Sequence, residues 1–228
     1  MISDMWNKAR SSAPLLIIIT LLSLILEGCS LLGIRTTDEA RYTVEKKVGN
    51  IEIRRYEPVM IVETYVNEPN FRDATDQSFR RLFDYISGAN VSANDISMTA
   101  PVIAEPQEEK GKIVAMTSPV IASPSKTENE RQGWILKFVL PDKFTINNSP
   151  QPTDPLVCLR EVPEKRVAAI SYSGLWSESN YQKHVNQLSD WLNSNNYSSI
   201  SLASYAGYDP PWALPFLRRN EILIDVLP

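Results

Sequence analysis

The chain has 228 residues, 43% of them hydrophobic and 22% charged, with a formal net charge of −4; that is ordinary for one large globular domain or two small ones. Three arginine pairs (Arg54–Arg55, Arg80–Arg81, Arg218–Arg219) read as solvated faces, not as a basic run, so there is no electrostatic reason to expect a nucleic-acid partner. One histidine and two cysteines exclude most protein-only metal sites and any disulfide framework.

Residues 1–28 read as an export signal. Lys8 and Arg10 precede an apolar run, Leu15–Leu26, which is short for a membrane-spanning helix and fits a signal-peptide core. Leu26-Glu27-Gly28-Cys29 resembles the bacterial lipobox, in which the cysteine becomes the acylated, palmitate-bearing first residue of a lipoprotein. Glu27 departs from the small or apolar residue usual there. By the same resemblance Ser30 favours the outer membrane, which places the domain in the bacterial cell envelope facing the periplasm. An uncleaved N-terminal anchor is the alternative, and both tether the domain to a membrane. Residues 29–47 are then the lipid-anchored tether, polar and mixed in charge after Leu31 and Leu32. Cys158 is left as the one other thiol, expected to be a buried small hydrophobe.

From Asn50 the pattern changes. Ile51 and Ile53, then Val59, Ile61 and Tyr65, predict two strands divided by Pro58. A helix follows over about Phe71–Ser87, with Phe79, Leu82, Phe83 and Ile86 on one face and Gly88 after its end. The segments Met98-Thr99-Ala100-Pro101-Val102-Ile103-Ala104 and Met116-Thr117-Ser118-Pro119-Val120-Ile121-Ala122 share M-T-[AS]-P-V-I-A. They predict a hairpin-like strand pair whose methionines lie near one another on an adaptable surface. Trp134, Leu136, Phe138 and Leu140 alternate as a strand with one apolar face.

Asn147–Pro155 holds three prolines and no other apolar residue, and reads as a linker. After it the first half recurs. Val157–Pro163 answers Ile51–Pro58, Val167–Tyr172 answers Val59–Tyr65, and a helix over about Ser177–Asn193 (apolar Tyr181, Val185, Leu188, Leu192) answers the first helix. Ser201–Tyr208 and Ile222–Leu227 supply the last two strands. Each half, about 48–146 and 156–228, is therefore β-β-α-β-β. Neither can bury both faces of its sheet alone, so the expected fold is α+β: one domain over 48–228, its mainly antiparallel sheet curled around or against two helices.

The stretch Tyr205–Val226 holds Pro210, Pro211 and Pro215 within six residues, which excludes helix and favours a stiff loop. That loop displays Tyr208, Trp212 and Phe216. It either plugs the core of its own domain or lines the mouth of an apolar pocket.

Y-x-x-P-W-x-x-P-F-x-R-R-N-E, here Tyr208–Glu221, resembles the C-terminal signature of the SOUL heme-binding protein family. The M-T-[AS]-P-V segments, Arg54-Arg55-Tyr56 and Ser173-Gly174-Leu175-Trp176 are similar to that family too. The resemblance covers roughly Arg41–Leu227. It implies a distorted antiparallel β-barrel of two repeats flanked by two helices, related to small-molecule effector-binding domains of bacterial regulators. It also implies non-covalent binding of heme or another tetrapyrrole in an apolar groove. By that analogy the groove uses Arg55, Tyr56, Met60, Phe79 and Phe83, with Trp212 and Phe216 as the far rim. Some members are proposed to use an axial histidine from the region that is here Tyr56–Asn67, which has none. The only histidine, His184, falls at the margin of the second helix's apolar stripe. Tyr56, Met98 or Met116 remain as weak iron ligands, and burial of the macrocycle alone gives affinity on the order of micromolar.

No Gly-rich phosphate loop, His–Glu metal spacing or catalytic triad independent of His184 is present. The reading is a heme or porphyrin carrier or scavenger and not an enzyme. The alternative is a module for a non-heme apolar small molecule.

Overall fold

The computed structural model describes residues 37–91, 111–126, 132–210 and 212–227. The export signal, Cys29 and the Met98 strand lie outside them. No helix among the described residues is long and apolar enough to cross a membrane.

The elements in chain order are β1 (Tyr42–Val48), β2 (Ile51–Tyr56), β3 (Val59–Val66), α1 (Phe71–Ile86), β4 (Asn90–Val91), β5 (Val120–Lys126) and β6 (Gln132–Val139). They continue with β7 (Gln151–Pro152), β8 (Val157–Val162), β9 (Lys165–Tyr172), α2 (Glu178–Ser194), β10 (Ser204–Gly207), one 3-10 turn (Pro215–Leu217) in the stretch expected to exclude helix, where Pro215 sits at the first position and needs no N–H partner, and β11 (Asn220–Asp225). Nine strands form one antiparallel sheet in the order β1-β2-β9-β11-β10-β5-β6-β3-β8, and β4 pairs with β7 apart from it. Among the described residues no ladder joins β1 to β8. The sheet is thus a curled half-barrel carrying two helices, not a closed barrel.

β1 occupies part of the stretch expected to be tether. Its residues after Tyr42 are all exposed, so it has no apolar alternation to read. It forms because Gly49, at φ +60°, turns the chain back onto β2. The segment 147–155 is likewise no free linker. Ser149 is fully buried, the Tyr85 hydroxyl donates to the Pro150 carbonyl at 2.9 Å, and Gln151–Pro152 pairs with β4.

Both helices start where the sequence places them. Asn70 accepts the Arg72 and Asp73 N–H groups at the start of α1, and Ser177 accepts that of Asn180 at the start of α2. The buried row of α1 is Ala74, Ser78, Leu82, Tyr85 and Ile86. Phe79 is only half-buried and Phe83 is 47% exposed, so the face is rotated from the expected one. The buried row of α2 is His184, Leu188 and Leu192, four apart.

The sheet buries both faces. On the helix side Ile53, Val62, Leu136, Phe138, Ile170 and Ile222 pack with Leu82, Tyr85, Leu188 and Leu192. On the other side Tyr56, Ile61, Val139, Val167, Ala169, Ala206, Tyr208 and Leu223 cluster with Ala40 from the incoming chain. Strict alternation sends neighbours in a strand to opposite faces. On β8 it buries Val157 and leaves Cys158 exposed, contrary to the expectation of a buried thiol.

Candidate functional site

The N-termini of α1 and α2 converge. Asn70, Phe71 and Arg72 face Trp176, Ser177 and Glu178 across a cavity of about 360 Å3. The capping side chains therefore sit at its mouth, and both helix dipoles direct their positive ends to it. Its wall is aromatic. Phe71 lies 4.8 Å from Trp134 and 5.5 Å from Trp176, and Trp176 meets Tyr205 edge-on at 4.4 Å. A Cβ at residue 207 would stand 2.7 Å from the Trp176 ring, so glycine in β10 is what lets Trp176 lie there.

The proline-rich loop adjoins this cavity through the segment 174–177. The Gly174 N–H donates to the Pro215 carbonyl at 2.9 Å, and the Asn220 side chain donates to the Gly174 carbonyl at 3.1 Å. The loop divides between the two roles read from its sequence. Tyr208 and Ala213 are buried, whereas Trp212 is 64% and Phe216 70% exposed, and Leu175, next to the Gly174 that bonds Pro215, is 55% exposed. The loop is not slack. Ala213 N–H donates to Pro210, Leu217 N–H to Leu214, and Arg218 Nε to Ala213.

The predicted groove residues separate. Phe79 and Phe83 stack at 6.0 Å on α1, the former edge-on to Phe138. Arg55 and Tyr56 point to opposite faces of β2. Arg55 is held by Glu45 and Glu164. Met60 is buried in the helix-side core and lines a second cavity of about 220 Å3 with Val59, Leu140 and Phe144, beside an Arg41–Asp142 ion pair. Tyr56 is buried on the far side, where desolvation pushes its phenol up to about 12 against the opposing charge of Arg54. A phenolate there is disfavoured at neutral pH. Met116 is 38% exposed before β5. The His184 ring stacks on Tyr172 at 3.6 Å, and its Nδ1–H donates to the Asn180 carbonyl at 2.7 Å. Among the described residues no three His, Cys, Asp or Glu side chains could share a metal ion.

A polar constellation missed in the sequence fills the face opposite the helices. Glu221 is fully buried on β11 and accepts from Arg54 at 2.7 and 2.9 Å. It also accepts from Tyr208 at 2.7 Å, Ser171 at 2.8 Å and Arg219 at 3.0 Å. Burial alone would raise its pKa, but the hydrogen bonds and charge of Arg54, then Arg219 and Tyr208, bring it down to about 2. Arg219 also lies 3.9 Å over the Tyr208 ring and binds Glu39 at 3.0 and 3.2 Å. Arg54, expected on a solvated face, is 2% exposed. The clue available in the sequence is the period-two spacing of Glu221 with the apolar Leu223, which puts both on one face of β11, with Arg219 in the same phase just before the strand.

The fold and site define an α+β domain with one curled antiparallel sheet, two helices on one face, and an aromatic cavity at their N-termini beside an exposed aromatic loop. The chain belongs to the SOUL heme-binding protein family, whose model matches residues 37–225. It is 25% identical over 180 residues to heme-binding protein 1 of Xenopus laevis, covering 78% of this chain and 84% of that one. It is 26% identical over 175 residues to human heme-binding protein 2, covering 76% and 77%. Among solved structures the EcmrR C-terminal domain shares the fold at TM-score 0.55 and 11% identity, over 82% of this chain and 98% of that one. A hydrolase from Listeria innocua does so at TM-score 0.50 and 10% identity, over 80% and 94%.

Proposed function

We propose that this protein binds heme or a related tetrapyrrole non-covalently and acts as a carrier or scavenger, without catalysis, tethered to the bacterial envelope through Cys29. The observation that carries the reading is the family match over 37–225, on a chain that presents Trp212 and Phe216 on a stiff loop beside an aromatic-walled cavity. The residues fit a macrocycle. Phe71 and Trp176 offer the cavity wall, Trp212 and Phe216 a rim, and Arg72 with the two helix N-termini a place for carboxylates. The cavity encloses only part of a tetrapyrrole, so binding is by one face and edge, with affinity on the order of micromolar. When bound, heme would supply its iron. His184 is turned to Tyr172 and to its own helix, and Tyr56 is held protonated. Neither is set to ligate iron strongly, so the proposed recognition is chiefly of the ring, with Met98 and Met116 left as the weak iron ligands. That same observation favours a second reading, an apolar ligand other than heme. The palindromic strand order supports two β-β-α-β-β halves: exchanging β2, β3, β5, β6 with β8, β9, β10, β11 reads the sheet from β2 to β8 in reverse.

The test is titration with hemin and with iron-free protoporphyrin, following the Soret band and tryptophan quenching, beside His184→Ala. Saturable one-to-one binding of both, unchanged in H184A, is expected. Loss of hemin binding alone in H184A would make His184 the iron ligand and overturn recognition of the ring. Saturable binding of neither would overturn the tetrapyrrole reading.

A further inference from the structure

The rim of the proposed groove and the place where the chain enters the fold are fastened together. Thr37 Oγ1 lies 2.7 Å from Ser118 Oγ, and Ser118 N–H donates to the Asp38 carbonyl at 2.9 Å. Glu39 binds Arg219 at 3.0 Å. The same residues form the base of the loop. Tyr208 N–H donates to the Arg219 carbonyl at 3.2 Å, Arg219 N–H donates to Asp209 at 2.6 Å, and Ser118 Oγ donates to the Tyr208 carbonyl at 3.5 Å. Upstream, seven residues (30–36) separate Thr37 from Cys29, and ten (27–36) separate it from the apolar run of an uncleaved anchor. Ten extended residues reach at most ~35 Å. A bilayer that holds either anchor therefore holds Thr37, to which the base of the loop is bonded, within about this distance.

From this base the loop projects Trp212, Leu214 and Phe216, exposed by 64, 40 and 70%. Three large apolar side chains on one loop are a surface held ready for a partner. The internal bonds of the loop and its prolines keep them outward, so they do not await a collapse onto their own core. Tryptophan among them is the residue favoured at a lipid headgroup boundary.

We propose that the Trp212–Phe216 loop rests in the headgroup region of the bilayer to which the N-terminal segment is tethered. The loop orients the domain on the lipid and gives the aromatic cavity a ligand that partitions into membranes. This rests on the anchoring part of the proposed function but not on which ligand is bound.

The experiment uses the full chain reconstituted in phosphatidylcholine vesicles, without any porphyrin. Flotation reads anchoring. Quenching of tryptophan emission by brominated acyl chains and by aqueous iodide is then compared between wild type and Trp212→Phe. Trp6, Trp134, Trp176 and Trp191 are common to both proteins, so the difference reports Trp212. The expected result is a component quenched by brominated lipid and sheltered from iodide that is lost in W212F. It returns in the double variant W212F/F216W, where the indole is moved along the loop. A component open to iodide and untouched by lipid overturns the proposal. So does one sheltered from both, which would mean that the apolar run itself or a second copy covers the loop. Failure to float overturns the anchoring and this inference together. A failed porphyrin titration leaves the quenching result standing.

Discussion

Replacing Glu221 by glutamine tests the polar constellation. The side chain keeps its size but loses its charge, while Arg54, 2% exposed, keeps its own. Lowering the carboxyl from 4.5 to about 2 corresponds to about 3 kcal/mol, at about 1.4 kcal/mol for each tenfold change in proton affinity. Orphaning one partner of a buried ion pair costs ~3–5 kcal/mol. Glu52 still accepts from Arg54 Nε at 2.8 Å, so the lower end is expected. The sign of the pH dependence follows from the depressed pKa. The contribution is complete above pH 4.5 and is lost as pH falls toward 2, because the unfolded chain takes up the proton first. Urea denaturation of wild type and E221Q between about pH 2 and 7 should therefore show a gap of about 3 kcal/mol at neutral pH that narrows through this window. The double variant R54M/E221L should recover much of the loss, since it removes both buried charges. A variant within about 1 kcal/mol of wild type, with an unchanged acid limb, would refute the claim that this ion pair is electrostatically committed.

Trp212→Ala should leave stability within about 0.5 kcal/mol of wild type but weaken hemin binding about tenfold, read by Soret titration; equal affinity would remove Trp212 from the rim. Gly207→Ala should force the Trp176 ring to move, costing ~1–3 kcal/mol in denaturation and altering near-ultraviolet dichroism; an unchanged spectrum would show that the wall yields freely. Burial, against the bond to Asn180, lowers the His184 pKa, so wild type should lose stability as pH falls below about 6.5 and His184→Gln should lack that component; identical pH profiles would contradict the buried placement.

The helices were legible because their caps and periods are local. Ser177 stands at the start expected for the second helix, and the spacing correctly placed Leu82, Ile86, Leu188 and Leu192 in the buried rows. The rotation of the α1 face was not legible, because residues 79, 82, 83, 85 and 86 all carry large apolar or aromatic groups. What selects Tyr85 is a carbonyl on Pro150, sixty-five residues away. β1 was missed because an exposed edge strand has no alternation to detect. The Arg54–Glu221 pair spans 167 residues. Alternation says which face a side chain takes but not which strand will lie beside it. Of the candidate groove, the exposed rings of Trp212 and Phe216 were visible from the prolines around them. Phe71 and Trp176 were not, because their meeting depends on how two helix starts are brought together.

The sheet order also bears on how the chain can be made. The inner neighbour of β2 is β9, and β3 takes its outer neighbour from β8. In the large sheet the strands synthesised before Asn147 therefore leave three edges, on β2, β3 and β5, waiting for segments made later. β9 in turn lies between β2 and β11, so its far edge stays open until the last strand arrives. The two parts are dovetailed, and neither can lock without the other. A nascent chain of this design stays unlocked until β11 has been made.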